Sequence, residues 1–553
     1  MEQFDFRGLS LYQIWIRSFA DGNGDGIGDL YGVYDKLDYI QSLGVGGVWF
    51  SPIYPSPNAD YGYDISDYRN IHPDYGTLEQ FQKVLDKAHA LGLKVILDLV
   101  VNHTSDEHPW FLESRKSKDN PYSDYYIWRD PKPGKNGRRP PNNWFSQFEG
   151  LAWEYCEERD QYYLHVFAKK QPDLNMDNPK VREEVKAIMR FWLDMGVDGF
   201  REDVITYISK HEKLPDGIPF LPSINGMPFY KDGPNLIPYL KEFRAVAQEY
   251  GALQIGEAPM TPVDTALRYL SGKDRVLDMM IQFDTMTADC FLTEYMHLPF
   301  SLRRYKRATS RWQTKLAGKA WNALYIENHD HPRIINRYGS PEFWKESGKA
   351  LAVSYLFLQG VPFIYQGQEI GMLNIALPTI DDYLDVASKN MYRTFFTHRS
   401  EKKRMHHIHV SSRDSARTPV QWSAEPNAGF TTGTPWFVVN PNYPKINVAA
   451  EEADPDSILQ FYRKALALRA SNETLLYGEY REYDAWSGRR FVYERSYRGE
   501  RILILCSFSK KPQRFRLPKG YDPAKMTSLL CNYADPTPGV LRPYEAQVWR
   551  RND

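Results

Sequence analysis

The sequence predicts an α/β protein: a (β/α)8 TIM barrel with an inserted subdomain after strand 3 and a C-terminal antiparallel β-sandwich domain. Eight short apolar runs, separated by helical stretches, recur between residues 11 and 367, and this repeat is typical of a parallel barrel. The repeat breaks between residues 104 and 170, where Pro, Asp, Asn, Tyr and Trp are abundant. From about residue 477 onward, short alternating strands such as residues 501–505 (RILIL) take its place.

These changes of pattern divide the chain into three parts. We expect the barrel in residues 1–103 and 171–476, the inserted subdomain in residues 104–170 and the C-terminal β domain in residues 477–553. The predicted barrel strands are residues 11–16, 44–50, 94–103, 199–204, 253–257, 279–283, 323–330 and 361–367. Helices are predicted over residues 30–43, 78–91 and 179–195, and Gly92 is a typical helix C-cap. Four prolines exclude a helix from the middle of the insertion: Pro131, Pro133, Pro140 and Pro141.

Composition excludes several classes of partner. Of the 553 residues, 42% are hydrophobic and 25% charged, as in globular proteins with a sizeable core. The 69 basic and 70 acidic residues leave a net charge of -1 without a long basic block, so we expect neither nucleic acid nor a membrane surface as a partner. The number of subunits is not predicted.

The cysteines and the N-terminus favour a cytoplasmic location. The four cysteines are scattered without C-x-x-C spacing, which predicts thiols in a reducing compartment: Cys156, Cys290, Cys506 and Cys531. The first residues lack a basic region followed by an apolar run, so no secretory signal is expected. No stretch approaches the ~20 apolar residues of a membrane span.

Residues 21–29 (DGNGDGIGD) have the pattern of a cation-binding loop. Oxygen-bearing side chains alternate with glycines, as in the first half of a calcium loop, but Gly32 stands where an EF-hand needs a bidentate Glu. A calcium or magnesium site therefore remains plausible, and an Asx-rich turn without metal is the alternative. The predicted ligands are Asp21, Asn23, Asp25, Ile27 and Asp29.

Polar residues follow the apolar part of several predicted strands. They are His103 on the third strand, Asp203 on the fourth, Glu257 on the fifth, and His329 and Asp330 on the seventh. In a barrel these strand ends meet at one face, where active sites of this fold lie. Each residue alone could be a hydrogen-bonded cap. Three carboxylates at one end of the barrel repel one another and reduce the stability of the fold, which favours a catalytic role.

The carboxylates suggest glycoside hydrolysis. Alternation along residues 199–204 (GFREDV) places Arg201 and Asp203 on one face of the strand, so the arginine should keep Asp203 ionised as a nucleophile. A structural ion pair is the simpler interpretation of this hexapeptide taken alone. Apolar flanks and nearby negative charge should raise the pKa of Glu257, as a general acid requires. Asp330 would hold sugar hydroxyls and stabilise positive charge at the transition state.

Four motifs together resemble the α-amylase family of retaining glycoside hydrolases (family 13), specifically its oligo-1,6-glucosidase group. They are residues 98–103 (DLVVNH), 199–203 (GFRED), 255–257 (IGE) and 327–330 (ENHD), and residues 171–175 (QPDLN) resemble the marker of that group. The resemblance implies Asp203 as nucleophile, Glu257 as acid/base and Asp330 as transition-state stabiliser. It implies structural Ca²⁺ in the loop at residues 21–29, no organic cofactor, and a blind pocket end formed by Asp60 and Arg417. The implied glucose contacts are Asp60, Tyr63, His103, Phe167, Arg201, His329 and Arg417.

The expected function is that of a retaining, exo-acting α-glucosidase that releases glucose from the non-reducing end of short α-1,6-linked oligosaccharides such as isomaltose. Val204, directly after the nucleophile, resembles enzymes that cut α-1,6 bonds. An α-1,4-glucosidase is one alternative, and a sucrose isomerase or transglucosylase is another, although residues 333–337 (RIINR) do not match the Arg/Asp-rich run of those isomerases. A catalytically inactive relative is the non-enzyme alternative, and the acid pair disfavours it.

Three residues depart from the family pattern. Glu202 occupies a usually apolar position, and on a strand it should face the helix layer, where it would need a cationic partner. Ala258 replaces a bulkier residue and His331 stands where Gln is common. The last two should border the site of the departing sugar.

Overall fold

The computed structural model describes residues 4–134, 137–148, 150–219, 221, 224–291, 293–394 and 397–552. Its centre is an all-parallel sheet of eight strands, which confirms the predicted barrel class. We label these strands β1 (Leu11–Ile14), β2 (Gly47–Phe50), β3 (Lys94–Leu99), β4 (Gly199–Glu202), β5 (Leu253–Ala258), β6 (Met279–Gln282), β7 (Ala323–Leu324) and β8 (Val361–Tyr365).

The hydrogen-bonded order is β7-β8-β1-β2-β3-β4-β5-β6, so only β6 and β7 must meet to complete the ring. They lie in contact, and the hydroxyl of Tyr325, just after β7, donates to the carbonyl of Gln282 in β6 over 2.9 Å. Side chains that point into the barrel form a packed centre, for example Trp49, Ile96 and Ile255.

Most of the strands are shorter than predicted, and two of them are shorter by four residues or more. β3 ends at Leu99 rather than residue 103, and β7 covers two residues of the expected 323–330. Beyond these points the backbone leaves the sheet: His103 bridges to Asp173, and Leu174 donates its amide to the carbonyl of Asn102. His103, His329 and Asp330 therefore lie on loops beyond the strand ends.

Helices cover the barrel. The long ones are Leu30–Ser42, Leu78–Ala90, Pro179–Asp194, Leu236–Tyr250, Leu302–Leu316, Trp344–Leu356 and Ile458–Ala470, and a short one, Val263–Leu270, lies between β5 and β6. Local sequence fixes their starts: Thr77 and Gln80 form a reciprocal capping box before Leu78–Ala90, and Asn178 caps a helix whose first residue is proline. Shorter helices are Pro109–Ser114, Met227–Tyr230, Ile334–Arg337, Val386–Thr394, Glu401–Ser411, Val448–Ala453 and Glu473–Tyr477.

The segment between β3 and β4 carries a small antiparallel sheet with strands Trp128–Arg129, Gln161–Leu164 and Trp153–Cys156, in that order. Its apolar side chains, Trp144 and Leu164 among them, pack against Val204 and Tyr207 from the loop after β4. The inserted segment therefore forms a wall beside the carboxyl end of β4.

The C-terminal part is an antiparallel sheet, as predicted. Its strands are, in spatial order, Glu479–Tyr483, Arg490–Tyr497, Glu500–Ser507, Ala546–Arg551 and Met526–Cys531, and a two-stranded sheet pairs Gln513–Arg514 with Val540–Leu541. It is fixed to the helix layer through Tyr493, whose hydroxyl donates to the carbonyl of Val353 over 3.1 Å.

A hairpin of strands Cys290–Phe291 and Thr293–His297 extends from the loop after β6. Among the described residues, no helix is long and apolar enough to cross a membrane.

Candidate active site

One buried arginine joins three carboxyl groups at the ends of β3, β4 and β5. Arg201 is 1% exposed, and its Nη1 lies 2.6 Å from Oδ1 of Asp98 and 2.7 Å from Oδ1 of Asp203. Its Nη2 contacts Oε1 of Glu257. Because Asp203 and Glu257 bind adjacent nitrogens of one guanidinium, they face the same small volume.

The charges of this cluster do not balance. Burial raises the pKa of Asp98 to about 6 and that of Asp203 well above its usual range, although Arg201 opposes both shifts. Burial and Asp330 raise the pKa of Glu257, in the predicted direction, against Arg201. The prediction that Arg201 simply keeps Asp203 ionised was therefore wrong, because desolvation outweighs a guanidinium shared among three carboxyls.

Asp330 lies in a different electrostatic environment. Its Oδ2 is 2.9 Å from Nε2 of His329, and its Oδ1 is 3.1 Å from Arg413 and 3.3 Å from Arg417. Burial acts against ionisation, but His329 and the two arginines hold the pKa of Asp330 well below its usual range. Asp330 is therefore the permanently ionised carboxylate of the pocket.

His329 is fixed from both sides. Nε2 of Gln13 lies 2.7 Å from Nδ1, and the hydroxyl of Tyr63 lies 2.7 Å from Nε2. The rings of Tyr63 and Trp15 stack on the imidazole, each at a centroid distance of 5.3 Å. Burial lowers the pKa of His329 to about 4, so the neutral imidazole directs its Nε2–H toward Asp330 and Tyr63.

The predicted blind end of the pocket contains a second arginine beside Arg417. Asp60 lies 3.5 Å from Nη2 of Arg413, and burial raises the pKa of Asp60 to about 6. Arg417 also acts on Asp60 electrostatically, and its Nε donates to the carbonyl of His329 over 3.2 Å. Sequence reasoning missed Arg413, although it stands only four residues before Arg417.

His103 and Phe167 complete this end of the pocket. Nε2 of His103 lies 3.1 Å from the carbonyl of Tyr63 and 3.1 Å from the amide nitrogen of Gln171, which also contacts Asp60 at 3.3 Å. The ring of Phe167 packs on His103 at 5.2 Å. Burial lowers the pKa of His103 to about 4, so it is a neutral hydrogen-bonding group.

These groups line a cavity of about 530 Å³. The predicted residues on its wall are Asp60, Tyr63, His103, Phe167, Asp203, Glu257 and Asp330, whereas Arg201, His329 and Arg417 support them from behind. The remaining described wall is largely apolar and includes Val204, Leu221, Ile224, Met227, Pro259, Met260 and Phe283. The pocket therefore has a charged end and an apolar end.

The three departures from the family pattern are all buried. Glu202 accepts a hydrogen bond from Nε2 of Gln254 over 2.7 Å, and no cation lies within salt-bridge distance of it among the described residues. The expected cation acts only at longer range, since Arg244 lowers the pKa of Glu202 electrostatically. Burial raises the pKa of Glu202 to about 7. His331 packs its ring against Phe283 at 5.8 Å, and its Nε2 has no hydrogen-bond partner in the described part of the chain. Ala258 is the last residue of β5.

The loop at residues 21–29 has an all-oxygen donor set, which suits Ca²⁺. Its carboxylates, however, accept hydrogen bonds from their own backbone: Asp21 from the amides of Gly24 and Gly26, both at 2.7 Å, and Asp29 from Gly22 at 3.0 Å. Within the described residues, no three carboxylate oxygens of this loop approach within 4.8 Å of one another. The loop is closed by Asx turns, and holding a cation would require its carboxylates to rotate away from the backbone amides.

The barrel and this pocket define a class of enzyme. Two buried carboxyls and one ionised carboxylate face a single cavity at the carboxyl ends of barrel strands, as in glycoside hydrolases.

Comparison with known proteins agrees. The model of the α-amylase catalytic domain matches residues 13–478. The oligo-1,6-glucosidase of Parageobacillus thermoglucosidasius is 46% identical to this chain, and the match covers 100% of this chain and 99% of that protein. The oligo-1,6-glucosidase of Bacillus cereus is 44% identical, and the match covers 100% of both chains. The chain therefore belongs to the α-amylase family and is a glycoside hydrolase.

Solved structures of the same architecture include two other specificities. Trehalose-6-phosphate hydrolase of Bacillus licheniformis is 41% identical with a TM-score of 0.93, covering 99% of this chain and 100% of that one. Trehalulose synthase of Pseudomonas mesoacidophila MX-45 is 38% identical with a TM-score of 0.92, covering 99% of both chains. The oligo-1,6-glucosidase relatives support an α-glucosidase, and the choice of substrate depends on the pocket itself.

Proposed function

We propose that this protein is a retaining, exo-acting α-glucosidase that releases glucose from the non-reducing end of short α-1,6-linked gluco-oligosaccharides. The observation that carries the proposal is the pocket, where Asp60, Asp330 and Arg413 share one cavity wall with the acid pair Asp203 and Glu257 and with a largely apolar remainder. We expect the ion pairs of Arg413 with Asp60 and Asp330 to close the charged end, so that one terminal sugar fits there and the leaving group lies along the apolar wall.

The first step is attack by Asp203 on the anomeric carbon. Oδ1 of Asp203 is held by Arg201, and Oδ2 makes no hydrogen bond to the described residues, so Oδ2 is the attacking atom. In the reactive microstate the proton shared by the cluster resides on Glu257, because Asp203 must carry the electron pair that forms the new bond. Glu257 gives that proton to the glycosidic oxygen as the bond to the leaving sugar breaks.

The second step reverses the proton transfer. Once Asp203 is esterified its negative charge is gone, so the ionised form of Glu257 is better tolerated and can take a proton from water. The water oxygen attacks the anomeric carbon and Asp203 is released as carboxylate, which retains the α-configuration. Asp330, ionised throughout, stabilises the positive charge that develops on the sugar in both steps.

Backbone strain beside the nucleophile positions the acid. Val204 is in the left-handed region, with φ 34° and ψ 41°, a conformation that a β-branched residue rarely adopts. In this conformation its amide donates to Oε2 of Glu257 over 3.1 Å. The side chain of Val204 lies on the apolar part of the wall, where it favours a leaving sugar attached through a flexible C6 link.

Two alternative substrates fit the wall less well. A phosphorylated disaccharide needs a cation for its phosphate, and the one cation on the described wall, Arg413, is bound to carboxylates at the closed end. Isomerisation of sucrose is disfavoured because the arginines that follow the seventh strand do not line the pocket. Arg333 forms a buried ion pair with Glu327, and Arg337 forms one with Asp289, each at 2.6 Å.

The test compares initial rates on isomaltose, maltose, sucrose and trehalose 6-phosphate, with product anomers followed by NMR. We expect the highest kcat/KM on isomaltose, free α-glucose as first product, and a loss of about 10⁴-fold or more in Asp203→Asn, since covalent catalysis then lacks its nucleophile. Asp98 binds Arg201, Trp49 and Tyr63 but does not line the pocket, so the control variant Asp98→Asn should retain more activity. Release of β-glucose, rearranged sucrose as main product, or full activity of Asp203→Asn would overturn the proposal.

We also propose a Ca²⁺ site in the loop at residues 21–29 and a cytoplasmic location. The first is supported by the donor set, and binding requires Asp21, Asp25 and Asp29 to turn away from backbone amides. The second is supported by the four cysteines, all within the described residues, which form no disulfide.

A further inference from the structure

A second cluster of chemically reactive side chains lies on the wall of the same pocket. Cys290 and His297 face each other in register across the hairpin that follows β6, and Asp289 precedes the first of them. Sγ of Cys290 is 3.4 Å from Oδ1 of Asp289 and 3.9 Å from Nδ1 of His297, which is 3.0 Å from Oδ2 of Asp289. Cys290 also lines the cavity that contains the catalytic carboxyls.

These separations match the edges of a metal tetrahedron. With metal–ligand distances of about 2.0 Å to nitrogen and oxygen and about 2.3 Å to sulfur, tetrahedral zinc places sulfur about 3.5 Å from its neighbours and nitrogen about 3.3 Å from oxygen. The observed values of 3.4, 3.9 and 3.0 Å differ from these by a few tenths of an ångström. Sγ of Cys290 is close to Oδ1 of Asp289 and Nδ1 of His297 is close to Oδ2, so the carboxylate must rotate for one oxygen to serve as the ligand. Within the described residues, this trio is the one set of three such ligands whose atoms all lie within 4.8 Å of one another.

The surroundings suit a metal ligand set. Arg337 binds Asp289 through Nη2 at 2.6 Å and Nε at 3.1 Å, which orients the carboxylate as second-shell partners of metal ligands do. Burial keeps His297 neutral by lowering its pKa, despite the opposing effect of Asp289. The unpartnered Nε2 of His331 lies in the same region, since Asp289, His297 and Arg337 all influence that imidazole electrostatically.

We propose that Asp289, Cys290 and His297 form a binding site for a borderline-soft divalent metal ion of the Zn²⁺ class. Binding releases one proton, from the thiol of Cys290, and moves the imidazole proton of His297 from Nδ1 to Nε2. The thiolate of Cys290 and the carboxylate of Asp289 together neutralise the two positive charges of the ion. The charge of Arg337 does not change on binding. The fourth coordination position opens toward the pocket, because Cys290 is on its wall.

Occupation of this site should inhibit turnover. Cys290 lies on the same wall as Thr287 and Phe283, toward the apolar end, so an ion there narrows the space for the leaving sugar. This consequence rests on the proposed glucosidase function, whereas binding of the ion does not.

The test uses the purified full chain and Co²⁺ as a spectroscopic substitute for Zn²⁺. We expect one Co²⁺ per chain with a thiolate-to-cobalt charge-transfer band, displaced by Zn²⁺. Cys290→Ala should abolish the band, and Cys290→Ala and His297→Gln should each weaken Zn²⁺ binding by more than about 100-fold, since loss of outer-shell partners alone costs about 10–100-fold. Cys531→Ala, which removes a partly exposed thiol from the C-terminal sheet, is the matched control and should change neither.

Activity provides the separate readout. Zn²⁺ should inhibit the wild type and Cys531→Ala but not Cys290→Ala. Absence of the cobalt band in the wild type, or a band that persists in Cys290→Ala, would overturn the metal site whatever the substrate proves to be. If the band depends on Cys290 while Zn²⁺ leaves turnover unchanged, the inhibitory consequence is wrong and the site stands.

Discussion

Replacement of Glu202 by glutamine tests the charge balance of the barrel. Glu202 is fully buried on β4, and its carboxylate accepts one hydrogen bond, from Gln254. Its other oxygen, Oε2, has no hydrogen-bond partner among the described residues. Glu202→Gln keeps the size of the side chain and an oxygen for Gln254, but it removes the proton that the carboxyl can lose.

The magnitude follows from the pKa. Burial raises the pKa of Glu202 from 4.5 to about 7, so between these values the folded protein keeps a proton that the unfolded chain has lost. The free energy of unfolding therefore decreases as the pH rises through this window, by about 3 kcal/mol in total, and is constant above it. Glutamine has no such proton, so Glu202→Gln should equal the wild type near pH 4.5 and exceed its stability by about 3 kcal/mol at pH 8.

The assay is urea unfolding at pH 5 and pH 8, followed by tryptophan fluorescence, with the wild type and the exposed-site variant Glu479→Gln as references. The midpoint of Glu202→Gln should move to higher urea by much more at pH 8 than at pH 5, and Glu479→Gln should follow the wild type. A variant that is less stable at pH 8, or one with the pH dependence of the wild type, would show that Glu202 is not a buried, uncompensated carboxyl.

Two further predictions concern other parts of the pocket and fold. Arg413→Ala leaves Asp385 and Asp330 without their shared cation, so we expect a loss of about 3–5 kcal/mol in stability and of about 100-fold or more in kcat/KM, checked against the partly exposed Arg404→Ala. Addition of Ca²⁺ to EDTA-treated protein at about 100 times its dissociation constant should add about 2.7 kcal/mol. That corresponds to an increase of about 2 °C in the melting temperature of a chain this long, and the increase should vanish in Asp25→Ala.

The strand pattern and the four motifs were enough to predict the barrel and the three carboxyls that face its pocket, because apolar periodicity and strand-end chemistry are local properties of the sequence. Arg413 and the partner of Glu202 could not be predicted in this way. The first comes from a loop far along the chain, and the second is an amide on the neighbouring strand β5, so both depend on tertiary contacts. The effect of burial on Asp203 was missed for the same reason, since the sequence does not reveal that Arg201 is shared among three carboxyls.

Asp203 and Glu202 are neighbours at the end of β4. Comparing variants of the two residues distinguishes the energetic cost of burying a carboxyl from its use in catalysis. Both have a raised pKa caused by burial, but Asp203 faces the pocket and Glu202 faces Gln254 outside it. Asp203→Asn should therefore also be more stable than the wild type at pH 8, since it removes one of the charges that crowd around Arg201. The two variants should differ in turnover: Glu202→Gln should keep the wild-type kcat, and Asp203→Asn should lose nearly all of it. Equal losses of activity, or a destabilised Asp203→Asn, would mean that the carboxyls around Arg201 stabilise the fold and that their convergence is no sign of catalysis.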